Sequence, residues 1–225
     1  MDILLLAHFN GGESMTVQQR LAEGFLIPVV VMDDAGRAVD TAKALLAGGI
    51  RIMEITLRTE AGLESIDKVA EACPDMLLGG GTILTLEQCR HAISRGASFI
   101  VSPGYDHEIV EYCQNNNVEV LPGCVTPTEI TAAMKAGVEI VKFFPAHVYG
   151  GAGAMKALSG PFPHLKFVPT GGIDLKNMAE FAVLSQVFAI GGGWLCDRKA
   201  INAGNYDEIT KISAQSLEAL QKLKG

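Results

Sequence analysis

A two-part unit recurs about eight times along the chain, and in each unit a short apolar run precedes a stretch of helical pattern. Strands that alternate with helices predict a parallel sheet, because each helix carries the chain back to the edge where the next strand starts. Eight units predict an α/β fold of the (β/α)8 TIM-barrel type, and a doubly wound open sheet is the alternative. The apolar runs are 27–32, 51–58, 76–83, 98–103, 118–124, 138–145, 165–171 and 187–194. The helical stretches begin near Ala35, Ala61, Leu86, Asp106, Thr128, Gly153, Leu175 and Asn205.

The whole chain, residues 1–225, is predicted to form a single barrel domain. It has 225 residues, of which 48% are hydrophobic and 25 are glycine, and no stretch departs from this composition. That length suffices to bury a full core, and the composition is that of an ordered α/β protein. Residues 16–23 predict a short extra N-terminal helix, and residues 1–14 are expected to be a loose N-terminal extension.

Charge and cysteine content narrow the classes of partner. The formal net charge of −7 weighs against nucleic acid and against an anionic membrane surface. The apolar residues 3–7 are too few for a membrane span and lack the basic flank of a signal peptide. The five cysteines form no C-x-x-C pair, which favours reduced thiols in a cytoplasmic protein over a disulfide framework or a zinc site.

One lysine stands inside a strongly apolar stretch. Residues 138–145 predict a strand of β-branched and aromatic residues that ends at a proline, and Lys142 is its single lysine. Burial disfavours an ammonium and leaves an amine that can attack a carbonyl carbon, as Schiff-base chemistry requires. Alternatively, the Lys142 ammonium reaches water at the strand end or pairs with a carboxylate.

The second predicted strand has an alternating pattern with polar residues on one face. Glu54, Thr56 and Arg58 alternate with apolar residues that would meet the surrounding helices, so the polar set is expected to point into the barrel. There Glu54 can shuttle protons, Thr56 can orient it, and Arg58 can bind a carboxylate with two hydrogen bonds. An ion pair between Glu54 and Arg58, or an edge strand that faces water, is the alternative.

Three predicted strands end in glycine, in the runs 79–81, 171–172 and 191–193. The last two runs belong to the seventh and eighth strands, where barrels often bind phosphate through backbone amides. Glycine also permits a close approach of backbone to a ligand. The runs therefore indicate a phosphate or other anion site, with tight turns as the alternative explanation.

Seven short motifs occur in order along the chain. They are Glu54-Ile55-Thr56-Leu57-Arg58-Thr59, Gly79-Gly80-Gly81-Thr82, Val101-Ser102-Pro103-Gly104, Leu121-Pro122-Gly123, Val141-Lys142-Phe143-Phe144-Pro145-Ala146, Pro169-Thr170-Gly171-Gly172 and Ile190-Gly191-Gly192. Together they resemble the 2-keto-3-deoxy-6-phosphogluconate / 2-keto-4-hydroxyglutarate aldolase family over about residues 16–220. Any one motif is weak evidence, whereas seven in this order are specific.

The resemblance implies a class I aldolase on a (β/α)8 barrel, with no metal or other cofactor, which is usually a homotrimer. Such an enzyme cleaves a 2-keto-3-deoxy sugar acid phosphate or 4-hydroxy-2-oxoglutarate to pyruvate and an aldehyde. The family pattern makes Lys142 the Schiff-base lysine and Glu54 the general acid and base. The remaining implied substrate contacts are Arg58 and Thr82 at the carboxylate and keto end, and Pro103 and Phe144 as pocket walls.

Two positions depart from the family pattern at the distal end of the substrate. Relatives commonly have serine where this chain has Gly193, and many have arginine where it has Val31. The substituted residues offer no side-chain contact to an anion. Backbone amides remain as expected phosphate donors at Gly171, Gly172, Gly192 and Gly193. The resemblance therefore leaves glyceraldehyde 3-phosphate, glyoxylate or a related fragment as the aldehyde half.

Two other functions stay open from the residues. The first is a phosphate-binding barrel isomerase or synthase that forms no covalent intermediate. The second is a non-catalytic barrel that binds sugar acids. His147 directly follows the lysine strand and is interpreted as a surface or capping histidine.

Overall fold

The computed structural model of the chain describes residues 15–224, and the extension predicted for residues 1–14 lies outside the described residues. The strands are β1 (Leu26–Val30), β2 (Ile52–Thr56), β3 (Leu77–Gly81), β4 (Phe99–Val101), β5 (Glu119–Leu121), β6 (Ile140–Phe143), β7 (Lys166–Pro169) and β8 (Ile190–Gly192). The α-helices are α1 (Val17–Gly24), α2 (Ala38–Ala47), α3 (Ala61–Ala72), α4 (Leu86–Ser94), α5 (His107–Asn115), α6 (Pro127–Lys135), α7 (Gly151–Ser159), α8 (Met178–Ala182), α9 (Arg198–Ala203) and α10 (Tyr206–Lys224). Short 3-10 helices lie at Ala35–Arg37 and Gly193–Cys196.

The strands are parallel and follow the order of the chain. Six of them form a sheet in the order β5-β4-β3-β2-β1-β8, and β6 pairs with β7. Isolated parallel bridges join the two sheets, at Gly123–Lys142 between β5 and β6 and at Thr170–Gly191 between β7 and β8. Each strand therefore neighbours the strands before and after it, which excludes the doubly wound alternative, where the order reverses part-way.

The side chains of β2 alternate between two apolar clusters. Met53 and Ile55 pack in the larger cluster, together with the helices. Ile52 belongs to a second cluster on the opposite face of the strands, called the inner cluster below. Its buried members are Leu21, Ile27, Ile52, Leu77, Phe99, Val101, Leu121, Ile140, Val168 and Ala189. Glu54 lies two residues from Ile52 and shares its face, so the predicted inward direction of Glu54 is confirmed.

Local sequence sets where the helices begin. Before α6, the Thr126 side chain accepts the backbone N–H of Glu129, and the Glu129 carboxylate accepts the N–H of Thr126. Pro127 occupies the first turn, where its missing N–H costs nothing. This reciprocal cap and the first-turn proline fix the start of α6 within one residue of the predicted position.

The last two units differ from the prediction. α8 begins at Met178 rather than near Leu175, because the Asp174 carboxylate accepts the backbone N–H groups of Lys176 and Asn177 and holds a separate turn. The predicted strand at 187–194 is confined to β8, and the sequence did not indicate α9.

The glycines of β3 provide space for larger neighbours. A Cβ on Gly79 would overlap the ring of Phe99, its partner on β4. A Cβ on Gly81 would overlap the carboxylate of Glu54. Gly79 and Gly81 therefore leave room for side chains of the two neighbouring strands, Phe99 on β4 and Glu54 on β2. The sequence of the glycine run did not indicate this packing role.

Among residues 15–224, none of the helices combines the length and the apolar character that a membrane crossing requires.

Gly79→Ala is expected to lower the free energy of unfolding by about 1 to 3 kcal/mol, because the added methyl group overpacks the inner cluster against Phe99. Gly153→Ala on α7 is the matched control, since nothing lies within 4 Å of its added Cβ. We expect the control to stabilise the protein by about 0.5 to 1 kcal/mol through the backbone entropy of glycine. Urea denaturation followed by circular dichroism measures both, and equal effects of the two variants would contradict the packing role.

Candidate active site

The centre of the site is a buried contact between a lysine and a glutamate that come from two strands far apart in the chain. The Nζ atom of Lys142 on β6 lies 3.3 Å from Oε1 of Glu54 on β2. Both residues are 2% exposed. The structure thus pairs Glu54 with Lys142, and the alternative ion pair between Glu54 and Arg58 is wrong.

Backbone hydrogen bonds hold the lysine in place. The N–H of Lys142 donates to the carbonyl of Pro122 at 2.9 Å, and its own carbonyl accepts the N–H of Cys124 at 2.9 Å. On the other side Lys142 is in register with Val168 of β7. Because the backbone is fixed from both sides, the only freedom of the amine is in its side-chain torsions, and these are limited by burial.

The pair contains the groups that a Schiff base needs. One proton moved from the Lys142 ammonium to the Glu54 carboxylate leaves a nucleophilic amine and a carboxylic acid at the same time. The amine can then attack a carbonyl carbon, and the acid can protonate the oxygen that leaves as water. The two atoms that would exchange this proton lie 3.3 Å apart.

Arg58 and Thr82 meet at the end of the strands. β2 ends at Thr56, so Arg58 lies beyond the strand, on the exposed rim. Its Nε donates to Oγ1 of Thr82 at 3.0 Å. Thr82 has a φ of 55°, a left-handed conformation that is uncommon outside glycine. Such conformations concentrate at functional sites, and here the turn places the hydroxyl against the guanidinium.

Of the two predicted pocket walls, Phe144 lies next to the lysine, and Pro103 belongs to the loop after β4. The Lys142 Nζ atom is 5.3 Å from the ring centre of Phe144, which is half-buried. Pro103 is also half-buried, and the preceding Ser102 donates its hydroxyl to the carbonyl of Gly104 at 2.7 Å and so fixes the turn. A Cβ on Gly123 would overlap the carbonyl of Pro103, so this glycine lets the two loops approach.

The glycine pair after β7 forms an open turn. Gly171 and Gly172 have φ of 93° and 74°, values that suit glycine. The carbonyl of Gly171 accepts the N–H of His147 at 3.1 Å, and that of Gly172 accepts the side-chain amide of Asn177 at 2.9 Å. Both carbonyls are thus held by the protein. Within the described residues, the N–H of Gly172 meets no acceptor, whereas the bridge between Thr170 and Gly191 turns the N–H of Gly171 toward β8.

The glycines after β8 differ from each other. Gly192 is buried, and a Cβ there would overlap the ring of Trp194, which therefore covers this glycine. Gly193 is exposed and begins a 3-10 helix. An added Cβ on Gly193 would lie 3.8 Å from the carbonyl of Val29, so the end of β8 faces the end of β1.

The sequence of the chain matches one protein family over most of its length. The model of the KDPG and KHG aldolase family matches residues 17–212. The chain belongs to the KDPG and KHG aldolase family. Members of this family are carbon–carbon lyases that form pyruvate, and the resemblance carried by the seven motifs is confirmed.

Individual relatives cover almost the whole chain. The chain is 42% identical over 204 residues to the 2-dehydro-3-deoxy-phosphogluconate aldolase of Treponema pallidum (strain Nichols), which covers 91% of this chain and 97% of the relative. It is 38% identical over 198 residues to the KHG/KDPG aldolase of Escherichia coli (strain K12), covering 88% of this chain and 93% of the relative.

A solved structure shows the same fold with a covalent intermediate. The KDPG aldolase of Legionella pneumophila, captured at low pH with pyruvate as a covalent carbinolamine, superimposes with a TM-score of 0.85. It is 36% identical, and the match covers 89% of this chain and 97% of that one.

In this aldolase Thr56 does not orient Glu54, as the alternation suggested. Its hydroxyl donates to the carbonyl of Val30 at 2.9 Å and links β2 to β1. The two side chains share a strand face, but β1 lies close enough to take the only hydroxyl proton of Thr56. The Glu54 carboxylate is therefore positioned by Lys142 and by the space over Gly81.

Sequence reasoning also missed a charged network beyond β1 and β8. Asp33 accepts hydrogen bonds from Nε and Nη2 of Arg198 and from the side-chain amide of Asn202. The bonds from Arg198 and then Asn202 lower the pKa of the Asp33 carboxyl to about 2. Asp33 and Arg198 lie 165 residues apart in the chain, so no local sequence pattern predicts their contact. The contact joins the loop after β1 to the start of α9.

No group of three or more potential metal ligands of the His, Cys, Asp and Glu types occurs in the described part of the chain.

Glu54→Leu is expected to lower the free energy of unfolding by about 3 kcal/mol, because it leaves the Lys142 amine buried without its partner. The double variant Glu54→Leu/Lys142→Met should recover most of that loss, since both polar groups are then gone. Chemical denaturation of wild type, the single variants and the double variant measures the coupling free energy between Glu54 and Lys142. Glu64→Leu, which removes an exposed ion pair with Lys68, is the control and should cost less than about 0.5 kcal/mol. A double variant no more stable than Glu54→Leu contradicts a coupled pair.

Proposed function

We propose that this aldolase cleaves a 2-keto-3-deoxy sugar acid phosphate or 4-hydroxy-2-oxoglutarate to pyruvate and an aldehyde through a Schiff base on Lys142. The observation that carries the proposal is the buried contact of 3.3 Å between Lys142 and Glu54. Family membership and the covalent pyruvate intermediate of the Legionella pneumophila relative support it.

The proposed reaction uses the pair twice. The Lys142 amine adds to the 2-keto carbon, and loss of water gives an iminium that accepts the electrons of the breaking C3–C4 bond. Glu54 takes the proton of the C4 hydroxyl as the aldehyde forms, and later returns a proton to C3 of the enamine. Hydrolysis of the iminium then frees pyruvate and restores the lysine.

The pyruvate end is proposed to bind at the rim beside the pair. Arg58 would hold the carboxylate and Thr82 the keto end, and the contact between them fixes both donors. Pro103 and Phe144 would line the walls of the pocket. The aldehyde end would lie toward the turn at Gly171 and Gly172, where the amide of Gly172 is free and both carbonyls accept hydrogen bonds from the protein.

The architecture proposed for this site is a closed (β/α)8 barrel. The bridges between β5 and β6 and between β7 and β8 support closure of the eight strands into a ring. Glu54 and Lys142 would then face each other across the barrel interior, above the inner cluster, with Leu21 of the N-terminal helix α1 packed at its base. Chemistry at the carboxyl ends of the strands is the rule for this fold.

The assembly and compartment are also proposed. Large apolar side chains at Val148, Tyr149 and Val183 are 76%, 52% and 65% exposed, which supports a subunit contact in the homotrimer that the resemblance implies. All five cysteines are buried free thiols, which supports a reducing cytoplasm.

The covalent step gives the decisive test. Incubation with pyruvate and borohydride is expected to add one reduced pyruvate to wild type, and peptide mapping should place it on Lys142. Lys142→Arg should give no adduct and no cleavage, because a guanidinium cannot form the imine. Lys166→Arg is the control, since Lys166 is exposed and donates to the carbonyl of Ser185. An adduct on another lysine, or none in wild type, favours a non-covalent barrel enzyme or a binding protein instead.

Arg58→Lys is expected to raise the KM for the keto acid about tenfold, because a point charge loses the two-pronged contact to the carboxylate. Steady-state kinetics with 2-keto-3-deoxy-6-phosphogluconate measure the change. Arg90→Lys is the control, as Arg90 lies over the ring of Tyr112 between α4 and α5, at 5.1 Å. An unchanged KM in Arg58→Lys rules out Arg58 as the carboxylate site.

A further inference from the structure

His147 lies directly on the open turn after β7. The segment after β6 continues beside that turn, where Ala146 donates to the carbonyl of Thr170 at 2.8 Å and His147 to that of Gly171 at 3.1 Å. A Cβ on Gly172 would overlap Cβ of His147 and lie 3.1 Å from its Cγ. The space that a side chain at Gly172 would need is therefore taken by the side chain of His147.

The imidazole has its hydrogen-bonding capacity free. His147 is exposed, and within the described residues neither ring nitrogen has a hydrogen-bond partner. His107, in contrast, has Nδ1 3.3 Å from the hydroxyl of Tyr105. The unpaired ring of His147 and the unpaired amide of Gly172 thus belong to adjacent residues at the rim.

The two positions where relatives carry an anion-binding side chain offer none here. Val31 is apolar, and Gly193 has no side chain. The net charge of −7 opposes the approach of an anion to the protein as a whole. A donor beside the glycine turn would favour a dianion locally, and an imidazole N–H gives a charge-assisted bond to phosphate oxygen.

We propose that His147 determines specificity by binding the terminal phosphate of the aldehyde half, together with the backbone amide of Gly172. This inference rests on the proposed function, because it assumes that the substrate reaches from Lys142 to the turn. His147 stands on the same chain segment as the lysine, five residues later, so the strand that holds the pyruvate end also presents the phosphate donor. A phosphorylated substrate would then be preferred over its unphosphorylated analogue.

Kinetics with two substrates test the specificity. For His147→Phe, which keeps a ring over Gly172 without an N–H, we expect kcat/KM for 2-keto-3-deoxy-6-phosphogluconate to fall about tenfold or more, mostly through KM. With unphosphorylated 2-keto-3-deoxygluconate it should change less than about twofold. His147→Gln, which keeps an N–H donor, should recover part of the loss. His164→Phe, at an exposed histidine before β7, is the matched control and should match wild type.

A binding experiment separates this inference from the proposed function. Titration of wild type and of Lys142→Arg with inorganic phosphate should shift the imidazole nitrogen resonances of one histidine, and His147→Phe should lack that signal. Borohydride trapping of pyruvate on Lys142 should be unchanged in His147→Phe. Normal trapping with no phosphate shift, or with equal kcat/KM losses on both substrates, overturns the role of His147 and leaves the aldolase intact. Absent trapping in wild type overturns the proposed function instead.

Discussion

The structure depends on one polar contact placed inside an apolar interior. Lys142 and Glu54 come from strands 88 residues apart in the chain, and each would be costly to bury alone. The neighbouring residues accommodate the pair. Gly81 leaves room for the carboxylate, and backbone hydrogen bonds to the carbonyl of Pro122 and from the N–H of Cys124 hold the backbone of Lys142. The parallel order of the strands brings both side chains to one level.

Around that pair the two ends of the proposed substrate meet different kinds of protein surface. The keto-acid end would meet a guanidinium and a hydroxyl, Arg58 and Thr82, which already contact each other. The aldehyde end would meet the glycine turn at Gly171 and Gly172, with His147 beside it. Fixed donors at both ends would orient a flexible chain without reorganisation of the protein, which is where positioning contributes most to rate.

Much of this arrangement could be predicted from the sequence, for reasons of periodicity. Alternation along β2 placed Glu54 inward, and the apolar run around Lys142 predicted its burial. Contacts between distant loops could not be predicted, because nothing local marks them. The contact between Asp33 and Arg198 is one case. The hydrogen bond from Thr56 to the carbonyl of Val30 is another, because the alternation along β2 had suggested that Thr56 contacts Glu54. The glycine runs were ambiguous, since Gly79 proved to accommodate Phe99 while Gly171 forms an open turn.

The inner cluster has a kinetic consequence. Leu21 and the other apolar residues of the inner cluster would close the base of the proposed barrel, so a molecule attached to Lys142 would leave past the rim. In the proposed reaction the pyruvate fragment would still be bound to the amine when the carbon bond breaks, whereas the aldehyde would no longer be attached to the protein. Departure would therefore be ordered, with the aldehyde first and pyruvate last, and in the synthetic direction pyruvate would have to enter before its partner.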